Sequence, residues 1–113
     1  MLRLLVLFVF VLCVESQSQC LSTDSTYVTN INYTNAQINW KKVDSAFFYR
    51  VRYKDVNASA WNFQNNIDFS ETEKLIIGLT PQTQYVWQIK SYCDSLGNTS
   101  SQWSIVDSFF TEN

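Results

Sequence analysis

In four separate stretches after residue 35 an apolar side chain returns at every second position, and that period leaves a chain few choices of fold. Ala36, Ile38 and Trp40 alternate with Gln37 and Asn39, and Tyr49, Val51 and Tyr53 alternate with Arg50, Arg52 and Lys54. Leu75, Ile77 and Leu79 form a third inward set, and Tyr85, Trp87 and Ile89 form a fourth against Gln88 and Lys90. Successive side chains of a strand point to opposite faces, so a period of two marks strands that bury one face and wet the other. No segment shows the three-and-four spacing of an amphipathic helix.

Turn-forming residues separate these runs at Lys42 to Ser45, Asp55 to Ser59, Asn65-Asn66 and the long polar segment Asp94 to Gln102. Three further strands are expected: an opening one around Tyr27 to Ile31, a short edge strand around Trp61 to Ile67, and a closing one from about Ser104 to Thr111. About seven short strands at close spacing predict an all-β sandwich or barrel whose sheets bury their inner faces against one another.

At 113 residues the chain holds one domain at most, and its beginning has a different character. Arg3 precedes the unbroken apolar block Leu4 to Val14, which ends in Glu15-Ser16-Gln17-Ser18. A membrane span needs about 20 apolar residues, whereas the apolar region of a signal peptide needs only about 7–15 and is followed by small residues. Residues 1–18 are therefore expected to be a signal peptide and residues 19–113 the mature domain. Lipidation at Cys13 is disfavoured, because the bulky Leu12 precedes it. The mature part keeps Cys20 and Cys93, and an even count in an oxidising compartment favours one disulfide.

Residue types argue against catalysis. The chain has no histidine, two distant cysteines do not make a zinc site, and the carboxylates fall mostly in turns or on polar faces. No glycine-rich phosphate loop or nucleophile elbow is present. No cofactor and no metal are expected. Basic residues are scattered along a chain of net charge −2, so nucleic acid is not an expected partner.

Several motifs together resemble a known family. Trp40 at the end of its strand, Tyr49-Arg50-Val51-Arg52-Tyr53, Leu79-Thr80-Pro81-Gln82-Thr83-Gln84-Tyr85, Trp103-Ser104 and Phe109 to Thr111 are similar to a fibronectin type III domain over about residues 20–112. The likeness is to versions in secreted bacterial proteins, which pair a cysteine near the domain start with one ending the sixth strand. It implies a seven-stranded immunoglobulin-like sandwich, with Trp40, Tyr49, Val51, Leu79, Tyr85 and Trp87 in its core. It also implies that Cys20 and Cys93 meet at one pole. The segment Leu79 to Tyr85 would cross between the sheets as a tyrosine corner, with Tyr85 buried and its hydroxyl reaching backbone a few residues upstream. This explains why the only proline, Pro81, and one of two glycines, Gly78, are concentrated there. The sequence departs from the family in having no proline before the first strand.

What the resemblance implies about role is broad: a secreted, non-catalytic binding, adhesion or spacer module, with a protein or carbohydrate ligand and a monomeric state expected. The alternative is an N-terminal accessory domain of a longer secreted hydrolase or surface protein. Trp61, Phe63 and Trp103 are candidate contact residues, since clustered aromatic residues stack on sugars or anchor proteins. The bland reading has them covering the sheet edge and packing on the stems of Arg50 and Arg52. Leu96 and Asn98, in the loop from Asp94 to Gln102, form a second candidate surface. Asn32, Asn57 and Asn98 fit the N-glycosylation pattern, which matters only in a eukaryotic source.

The leader generates a direct expectation. N-terminal sequencing of material recovered outside the cell should begin between Ser16 and Gln19, and recovery of Met1 there would contradict it.

Overall fold

The computed structural model describes residues 20–113; the leader, Cys13 and the expected cleavage site lie outside them. Seven strands follow in order: β1 (Thr26–Thr29), β2 (Ala36–Trp40), β3 (Phe48–Asp55), β4 (Asn62–Asp68), β5 (Glu73–Ile76), β6 (Gln84–Tyr92) and β7 (Asp107–Phe110). They form two sheets, β1-β2-β5 and β4-β3-β6-β7, in which every pairing is antiparallel.

The longest pairing joins β3 to β6, from Phe48 opposite Tyr92 to Asp55 opposite Tyr85. Its odd-numbered residues face inward. Tyr49, Val51, Trp87 and Ile89 are fully buried, and they meet Ala36, Ile38 and Trp40 of β2 with Ile67, Ile76, Leu79, Tyr85 and Phe109 around them. Trp40 and Tyr49 pack edge to face across the core at 5.5 Å, a geometry in which a ring edge meets the electron-rich face of its neighbour. Each large side chain buried this way contributes roughly 1.5–3 kcal/mol.

The third inward set differs from the sequence expectation. Leu75 and Ile77 are 53% and 66% exposed, while Ile76 and Leu79 are buried. The register explains this: Leu75 lies opposite Gln37 on the outer face, and Ile76 opposite the buried Ala36. The run Leu75-Ile76-Ile77 is apolar throughout and carries no phase of its own. Gly78, at φ 76°, then interrupts the alternation, so Leu79 returns to the core three residues after Ile76.

The closing strand is also shorter than expected, and Trp103 precedes it. Residues 101–106 run beside β6 through serine side chains in place of a regular ladder. Ser101 and Ser104 donate their backbone N–H to the carbonyls of Ser91 and Ile89. Their hydroxyls in turn accept the N–H of Ser91 and Ile89, both at 3.0 Å. Three residues here span two on β6, as in a bulge.

Both poles are fastened. At one, Tyr85 is buried and its hydroxyl accepts the Thr80 N–H at 2.9 Å. The Thr111 hydroxyl accepts the Thr83 N–H and donates to the Thr80 carbonyl, locking the chain end onto this crossing. At the other, a disulfide joins Cys20, ahead of β1, to Cys93, just after β6, with Cα atoms 5.6 Å apart. No proline sets the entry to β1; the buried Thr23 does so, donating its hydroxyl to the Lys41 carbonyl at 2.8 Å.

Linking residues 73 apart restricts the unfolded chain by about 4 kcal/mol on the chain-entropy model. Replacing both cysteines with serine should lower unfolding free energy in denaturant by about 2–4 kcal/mol. A change below about 0.5 kcal/mol would show that the bridge does not constrain the unfolded chain.

Candidate functional site

The even-numbered residues of β3 point away from the core, and three of them, Arg50, Arg52 and Lys54, are basic. Lys90 of β6 stands directly opposite Arg50. Four of the seven lysines and arginines in residues 20–113 thus share the outer face of the four-stranded sheet. Scattered in sequence, they are gathered by register.

Aromatic rings are interleaved with these cations. The Arg52 guanidinium lies 4.3 Å from the Trp61 ring and 4.2 Å from the Trp103 ring, so it sits against both indoles. Arg50 lies 4.1 Å from the ring of Phe63, Lys54 lies 5.0 Å from Trp61, and Lys90 lies 4.8 Å from Trp103. A cation over an electron-rich ring face gains about 0.5–1 kcal/mol at exposed sites and more when desolvated.

Local structure aims each group. Phe63 faces outward because it pairs with Arg52, and a bulge between Tyr49 and Val51 then adds a residue to β4. Asn66 absorbs that residue at φ 55°, in the left-handed region asparagine tolerates, and Ile67 returns to the core. Trp103 comes over Arg52 because the extra residue between Ser101 and Ser104 turns it outward. Gln88 ties these parts together: its oxygen accepts Arg52 Nε and Nη2 at 3.0 and 2.7 Å, and its amide donates to the Ser104 carbonyl at 2.8 Å. Arg50 Nε donates to Asn65 Oδ1 at 2.9 Å, and Lys54 donates to the Ala58 carbonyl. All these acceptors are neutral. Burial, and then the like charge of Arg50, pull the Arg52 pKa below its ordinary value, although a guanidinium stays charged at neutral pH.

The structure brings Trp61, Phe63 and Trp103 together, packed on the guanidinium heads of Arg50 and Arg52. The loop lies beside the same face: Gly97 approaches the stacked pair Phe48–Tyr92, whose rings are 4.6 Å apart. Leu96, 80% exposed, and Asn98 project from this loop into solvent. Asp94 shapes the loop by accepting the Thr99 N–H. Asn57 and Asn98 are exposed, whereas the Asn32 carboxamide oxygen already accepts the N–H groups of Thr34 and Asn35.

A concavity of about 640 Å³ opens at the disulfide pole, lined by Phe47, Phe69, Asp44 and Asp68 among others. Hydrogen bonds from the Ser70 hydroxyl and backbone hold the Asp68 carboxyl below the usual carboxylate range. Among the described residues, no group of three or more His, Cys, Asp or Glu side chains could hold a metal ion. No helix among them is long and apolar enough to cross a membrane.

Reasoning from the sequence named Arg50 and Arg52 only as stems on which the rings pack, and missed Lys54, Lys90, Gln88 and the two serines. The three outward basic positions of β3 were the available signal. The contributions of Lys90, Gln88, Ser101 and Ser104 depend on pairing across the sheet.

Comparison with curated proteins gives no match. Solved structures share the fold at low identity. A segment of two fibronectin type III domains from chicken tenascin has a TM-score of 0.75 at 22% identity, covering 84% of this chain and 52% of the segment. The fibronectin type III domain of human contactin 1 has a TM-score of 0.73 at 19% identity, covering 86% and 82%. A structure described as that of a myokine has a TM-score of 0.73 at 12% identity, covering 84% and 100%. The family model for the fibronectin type III domain matches residues 24–107, and with its two antiparallel sheets and buried tyrosine corner the chain belongs to the fibronectin type III family.

Proposed function

We propose that this domain is an exported, non-catalytic binding module whose contact surface is the outer face of the four-stranded sheet. One observation carries the reading: four cations share that face, three of them hydrogen-bonded to neutral acceptors and Lys90 lying over Trp103, in a chain whose net charge is −2. A spacer requires a stable core and two accessible poles. It has no need of like charges held side by side, which repel unless a partner or neighbouring rings offset them. The Cys20–Cys93 bridge supports an oxidising compartment, in agreement with the apolar leader.

The rings and the adjoining loop fit this role. Trp61 and Trp103 hold Arg52 in one orientation, so less side-chain freedom is lost when a ligand pairs with it. Phe48 and Tyr92 extend the surface to the base of the 94–100 loop.

An array of extracellular polymers, covering neutral and acidic polysaccharides and matrix proteins, tests the role. At least one should be bound, with affinity reduced about tenfold or more by Trp61→Ala or Trp103→Ala in variants whose melting shows a folded domain. An array not bound at all leaves the domain a spacer, and one bound equally by wild type and both variants moves the contact off this face.

A further inference from the structure

We infer that the ligand of this face is an acidic polysaccharide, a chain of sugars bearing carboxylates or sulfates; this rests on the binding role proposed above. Occupied ring faces are the first reason. Arg52 and Lys54 lie over Trp61, Arg52 and Lys90 over Trp103, and Arg50 over Phe63. Nucleobases bind aromatic residues by stacking on ring faces, and here each ring has a face taken by a cation, which reduces the stacking area. The same arrangement offers a ligand ring edges, the positive part of the aromatic quadrupole, and guanidinium N–H groups. Both attract anions.

Unused donors are the second reason. A guanidinium has five N–H donors; Arg50 spends one on Asn65 and Arg52 two on Gln88, which leaves four and three. Planar forks of this kind match carboxylate and sulfate oxygens two at a time. Arg50, Arg52 and Lys54 recur at every second position, about 7 Å apart along a strand, with Lys90 beside the first of them. A linear polymer with repeating anions can engage several of these cations at once, and repeated weak contacts on one chain reinforce each other.

The third reason separates a sugar chain from an acidic protein. A shallow concavity of about 370 Å³ opens on this same face, lined by Phe48, Arg50, Asn65, Asn66 and Tyr92. It combines one guanidinium with two carboxamides and a stacked aromatic wall. Carboxamides suit hydroxyl groups, the guanidinium suits a single acidic substituent, and the wall suits the apolar side of a sugar ring. A protein partner calls instead for a central apolar anchor site.

Binding of the purified chain to polygalacturonate and heparin, their methyl-esterified and desulfated counterparts, poly-L-glutamate and a single-stranded oligonucleotide tests the assignment. The acidic polysaccharides should bind, their uncharged counterparts should not, and affinity should fall about tenfold or more between 50 and 500 mM NaCl. Lys54→Gln/Lys90→Gln leaves the Arg52–indole stack in place; it should weaken binding about tenfold with little change in melting temperature. Arg50→Gln should do the same through the concavity. Tighter binding of poly-L-glutamate or the oligonucleotide, still sensitive to these substitutions, overturns the ligand class and leaves the binding face standing. Equal binding of the uncharged polymers overturns the ligand class as well. Full affinity retained by every variant overturns both.

Discussion

The pairing of β3 with β6 is the constraint on which the rest of the structure depends. With Val51 opposite Ile89 and Arg52 opposite Gln88, one register assigns two faces at once. Odd positions supply Tyr49, Val51, Trp87 and Ile89 to the core, and even positions supply Arg50, Arg52 and Lys90 to the surface. A slip of one residue would exchange the faces, placing guanidinium groups among the indoles of the interior. An unpaired buried charge costs several kcal/mol, so the core and the cationic face enforce the same alignment.

Holding like charges together on that face requires compensation, and the rings provide it. Arg52 is flanked by two indoles and fixed by Gln88, and Gln88 is fixed by the Ser104 carbonyl. The segment carrying Trp103 is in turn held to β6 by the hydroxyls of Ser101 and Ser104. Serine side chains standing in for ladder hydrogen bonds therefore do two jobs. They satisfy backbone donors of β6 that a regular strand would have paired, and they introduce the extra residue that brings an indole over a guanidinium.

The poles are closed by different means. Covalent bridging of Cys20 to Cys93 ties the start of the three-stranded sheet to the end of β6. The opposite pole relies on hydrogen bonds around Tyr85 and Thr111, and further backbone bonds join Leu79 to Thr34 and Glu112 to Asn32. A sandwich with a core this small has two open ends as well as open edges, and fastening both ends limits fraying where few apolar contacts exist.

How much of this was legible in the chain follows from the range of the physics involved. Alternation along β2, β3 and β6 determined strand identity and inward residues, because polarity at every second position is a local property. Pro81 and Gly78 marked a break in the strands, and the family resemblance made that break a sheet crossing with Tyr85 buried. The run Leu75-Ile76-Ile77 was misread because three consecutive apolar residues have no phase; the partner strand chose Ile76 for the core by placing it opposite Ala36. Trp61, Phe63 and Trp103 could be named as aromatic candidates from the sequence, with Arg50 and Arg52 as stems to pack on, yet the interleaved ladder of rings with guanidinium heads and Lys90 could not. Those residues come from β3, β6 and the segments around β4 and β7, and only strand register sets the distances between them. What a residue is and which way it alternates are encoded locally; which residues meet across a sheet is decided by the tertiary pairing that buries the core.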